Sequence, residues 1–137
     1  MLKRFAMIAG VFAVVGLAGL AGAADEAKIT IKQAMTKIAK GKASAIPSLK
    51  TALNAPSPDW KSIQANSKTV ATCTEAIIAL KPSKGDQANY TKLAKALAVD
   101  ATALNVSAEK EDLAGAKAAF GKIGGSCMGC HNAHRGK

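Results

Sequence analysis

Between Leu113 and Cys130 the apolar positions recur at steps of three and four without a break: Leu113, Ala116, Phe120, Ile123, Cys127 and Cys130. That spacing keeps one face of a helix aligned over its whole length, and such a face has to be covered by other helices. A strand alternates at every second residue and cannot carry it. Aromatic residues make up only 4 % of the sequence although 49 % of it is hydrophobic, so the apolar content is largely alanine and aliphatic side chains. With few β-branched runs, the chain is expected to be all-α. A core of small side chains leaves room for a cofactor to supply bulk.

Three further long helices follow from periodicity and punctuation. The first is expected over 25–41, with Asp25 and Glu26 in its first turn and a stripe of Ile31, Met35 and Ile38. Pro47, Pro56 and Pro58 interrupt the next segment, which has room for a short helix around Ser48 to Leu53. A second long helix starts near Pro58-Asp59, carries Ile63, Val70, Cys73, Ile77 and Leu80, and ends at "KPSKGD". The third follows Gly85 with Asp86 as N-cap and places Tyr90, Leu93, Leu97 and Leu104 on one face, interrupted by Asp100. Four such helices with short connections predict an up-down-up-down antiparallel four-helix bundle.

Before the first helix, Lys3 and Arg4 precede an apolar run from Phe5 to Leu20, and Ala21-Gly22-Ala23 supplies a small-x-small cleavage pattern. Residues 1–23 are expected to be a cleaved secretory signal peptide and 24–137 the single mature domain, with no membrane span after cleavage. Of the 19 basic residues, Lys3 and Arg4 leave with the leader, so 17 face nine acidic ones, a formal charge of +8. The lysines are scattered and lack interleaved aromatics, which argues against nucleic acid. Steering of acidic partner proteins fits better. No paired carboxylates, nucleophile triad or phosphate loop can be assembled, so the chain is not expected to be an enzyme.

Chemistry concentrates in "GGSCMGCHNAHRGK", residues 124–137. Three readings compete for Cys127, Cys130, His131 and His134. A dithiol redox pair opens a helix after a strand, where the N-terminus stabilises a thiolate, whereas this pair lies near a helix end. Structural zinc draws ligands from two separated segments, and four donors on one rod cannot surround an ion. Cys-x-x-Cys-His is also the attachment signature of c-type haem. Positions i, i+3 and i+4 share a helix face, so Cys127 and Cys130 can tether one porphyrin while His131 stands under its iron. Gly124, Gly125 and Gly129 leave the backbone bare where a flat macrocycle approaches.

On "CMGCHNAHR", supported more weakly by "IKQAMTKIAKGK" and "KPSKGD", the sequence resembles the class II cytochromes c, the cytochrome c′ family, and its low-spin branch in particular. Cytochrome c′ is itself a reference example of the up-down four-helix bundle. The resemblance implies one covalently attached haem c on the last helix, a periplasmic location, and a tendency to dimerise through the first two helices. It implies Met35 as the distal ligand, since low-spin members carry a methionine at a similar place; read from periodicity alone, Met35 is a core residue. His–Met iron suits single-electron transfer between redox partner proteins. The alternative is five-coordinate iron binding nitric oxide or another small gas, as in cytochrome c′ proper. Arg135 matches a basic residue near the proximal haem face in the family; equally, it is a cation offsetting the helix dipole. His134 is expected to hydrogen-bond a propionate or backbone group, or to be exposed. Cys73 reads as a buried, inert thiol and Trp60 as a core or rim anchor.

Overall fold

The structure, a computed structural model, describes residues 28–136. The leader, its cleavage site, Asp25 and Glu26 lie outside those residues. Five helices form among the described residues: α1 (Ile31–Ala39), α2 (Ala45–Leu53), α3 (Trp60–Ala76), α4 (Gln87–Glu109) and α5 (Leu113–His134). The fold is all-α, a four-helix bundle of α1, α3, α4 and α5 with α2 as a short extra helix.

Helix α1 starts later than the charge pattern suggests. Thr30 is extended and closes a capping box with Gln33, each side chain bonding the other residue's backbone, so helical geometry begins at Ile31. Helix α2 starts three residues earlier than expected because Pro47 falls in its first turn, where its missing N–H is harmless. Asp59, Asp86 and Asp112 cap α3, α4 and α5, each accepting a backbone N–H three residues on. Helix α3 stops at Ala76, before the end of its apolar stripe. Ile77 nonetheless stays buried in the turn beyond, and its carbonyl accepts the Tyr90 hydroxyl at 2.8 Å.

Cross-helix bonds set the directions. Gln64 and Ser67 of α3 bond Ala108 and Asn105 of α4, so one helix rises as the other descends. Ser126 of α5 donates to Asp100 of α4 at 3.1 Å, which explains the carboxylate on the α4 stripe. Alanine fills much of the core, as the composition predicts: Ala34, Ala94, Ala98, Ala101, Ala108 and Ala116 are all buried.

Helix α1 packs on α2 and α3, and α2 reaches α5 as well, whereas no Cα of α1 lies within 8 Å of one in α5.

Candidate haem site on the last helix

Helix α5 continues through the attachment motif to His134, so its glycines do not mark a frayed end. Two adjoining strips run along its inner face. Ala119, Ile123, Ser126 and Cys130, at steps of four, three and four, face α4 through the Ser126–Asp100 bond. Phe120, Gly124, Cys127 and His131 form the next strip. Phe120 and Cys127 are half-buried and pack against the core, and His131 is also half-buried.

Gly124 is exposed, and a Cβ there would meet nothing within 4 Å. Packing within the protein thus gives no reason for glycine at this mid-helix position, which costs about 1 kcal/mol relative to alanine. A bare backbone between Phe120 and His131, beside two free thiols, fits the approach of a flat macrocycle. The residues present therefore suit a covalently tethered haem.

The rival chemistries fare worse. Burial pushes the Cys127 thiol up, with the neighbouring Cys130 adding to the effect, and burial also raises Cys130. A redox dithiol needs the opposite shift. Among the described residues no three His, Cys, Asp or Glu converge on a metal position. The two histidines go to different environments: His131 lies on the half-buried strip, whereas His134 is buried with Nδ1 3.0 Å from the Lys84 carbonyl. Of the expectations for His134, the backbone hydrogen bond is the one found.

Met35 is half-buried on α1 and packs against the core from its side. Ala34 and Ile38 are the fully buried residues of α1, and Ile31 and Met35, half-buried, pack against the same core. A depression of about 420 Å³ is lined by residues 28–32 and by Leu80, Lys81 and Ser83. Ser83 and Lys84 in turn hold His134. The start of α1 and the end of α5 thus share one end of the bundle, which brings Met35 and His131 to the same end. Arg135 is the exposed C-cap, extended, its N–H bonding the His131 carbonyl at 3.1 Å. Cys73 is buried, and burial raises its thiol against a smaller opposing effect of Lys37. Trp60 opens α3 and is half-buried at the core edge.

An all-α bundle whose last helix presents Cys-x-x-Cys-His on its inner face defines a class, the helical-bundle cytochromes of c type. Residues 29–135 match the family described as cytochrome c′, and the chain belongs to that family. Membership implies covalently attached haem c. In fold, the chain is similar to the crystal structure of cytochrome c′ from Thermochromatium tepidum, at 22 % identity over 68 % of this chain and 84 % of that one, with a TM-score of 0.56. The comparison with curated proteins found no match.

Proposed function

We propose that this protein is a monohaem cytochrome of the low-spin branch that carries single electrons in the periplasm, without transforming a substrate. When bound, haem supplies the one-electron iron couple. Cys127 and Cys130 would tether it through thioethers, and the His131 imidazole and the Met35 sulfur would be the groups that hold its iron. Arg135, exposed one turn beyond His131, contributes positive charge on the proximal side. The observation that carries this reading is the place of Met35. Met35 is only half-buried against the core and lies near the start of α1, at the end of the bundle where α5 and the α3–α4 connection meet. The basic balance of 19 against nine supports acidic redox partners.

Visible absorption of the oxidised protein tests the ligand set. Low-spin bands with a methionine-to-iron charge-transfer band are expected, and Met35→Ala should convert the spectrum to high spin. A wild-type protein already high-spin would sink the Met35 role. It would favour the second reading, a five-coordinate protein binding nitric oxide or another small gas. Membership of the cytochrome c′ family favours that alternative.

A further inference from the structure

We propose that His134 is a positioning residue: by clasping the last turn of α5 to the α3–α4 connection, it sets where His131 stands relative to α1. The clasp has several parts. A carbonyl can only accept, so at 3.0 Å from the Lys84 oxygen His134 Nδ1 is the protonated nitrogen. Ser83 Oγ donates to the His134 carbonyl at 3.4 Å. The imidazole stands edge-on to Tyr90 with centroids 5.5 Å apart. Gly85, at φ +85°, lets the connection pass over the ring, and a Cβ there would fall 2.6 Å from Nδ1.

The same connection carries the start of α1, because Leu80, Lys81 and Ser83 line the depression shared with residues 28–32. No Cα of α1 lies within 8 Å of one in α5, so the connection that His134 grips is, beside α2, a link through which the two helices are aligned at this end. His134 lies three residues after His131, within one turn. Any slack in the clasp therefore reaches the proximal imidazole. His134 Nε2 is buried with no hydrogen-bond partner among the described residues. Replacing the ring by phenyl thus removes one good bond and one unsatisfied atom while keeping the packing on Tyr90. The clasp can be lost with little change in global stability.

The proposal rests on the reading that His131 holds the haem iron. The test uses the haem-loaded protein as wild type, His134→Phe and His134→Asn, the last keeping a side-chain N–H where Nδ1 stands. Amide hydrogen exchange over 130–135 reads the clasp, and the ferric electron paramagnetic resonance signal reads imidazole placement in either spin state. His134→Phe should speed exchange in that turn roughly tenfold and split or broaden the ferric signal, and His134→Asn should restore both. If His134→Phe does not fold, Gly85→Ala attacks the clasp from the other side and should give the same signature. Unchanged exchange, an unchanged ferric signal, or equal effects of Phe and Asn would each overturn the proposal. A wild-type protein that takes up no haem would instead sink the reading beneath it, which separates the two failures.

Discussion

At the scale of single residues, Tyr90 ties the helix junctions together and reports on them. It is the chain's one tyrosine, its ring is buried, and its hydroxyl donates to the Ile77 carbonyl. Burial, with a smaller contribution from Cys130, pushes its pKa from 10.0 up to about 12. The folded state thus holds the phenol proton that the unfolded chain releases first. Stability linked to Tyr90 is complete below pH 10 and falls as pH rises from 10 toward about 12. A tyrosinate absorbance titration should show no midpoint near 10, and Tyr90→Phe should lose that alkaline slope in unfolding experiments. A midpoint at the ordinary tyrosine value would mean the ring is not buried. Tyr90 and Cys73 were both legible as seam residues, since helical spacing alone aims them inward. The partner of His134 was not legible, because Lys84 lies 50 residues away and nothing local marks the contact.

At the scale of elements, α1 is the weak member. It has nine residues, and helices shorter than roughly 12–15 are marginal in water without packing and caps. Its capping box therefore matters more than the caps of α4 and α5. Thr30→Ala should lower stability by about 1 kcal/mol, measured by chemical denaturation, whereas an exposed Lys32→Ala should change it little. Equal effects would remove the capping box from the account. The sequence reading placed the first turn at Asp25 and Glu26 by dipole preference, whereas helical geometry begins at the Thr30–Gln33 capping box. Dipole preference is the looser signal of the two, since it acts over a whole turn, whereas a capping box fixes one residue. The end of α3 misled for another reason. The apolar stripe through Ile77 and Leu80 continues after the helix stops, because a turn can bury the same side chains.

For the whole molecule, the charge balance and the topology carry different consequences. With a formal charge of +8 on the expected mature chain, electron exchange with an acidic redox protein should slow about tenfold as ionic strength rises from about 0.01 to 0.15 M. Exchange with an uncharged small oxidant should change little over the same range. Stopped-flow rates compare the two, and parallel behaviour would remove steering. Topology determines how the halves of the candidate site meet. The sequence by itself determined the all-α bundle, the seam of α5, and the grouping of Cys127, Cys130 and His131, because these depend on contacts within a turn or two of one helix. Only the tertiary structure decided that the start of α1 and the end of α5 share one end of the bundle, that Met35 is half-buried beside the fully buried Ala34 and Ile38, and that His134 is gripped by the α3–α4 connection. Those are relations between distant segments. They follow from how five helices share one small core, which no local spacing encodes.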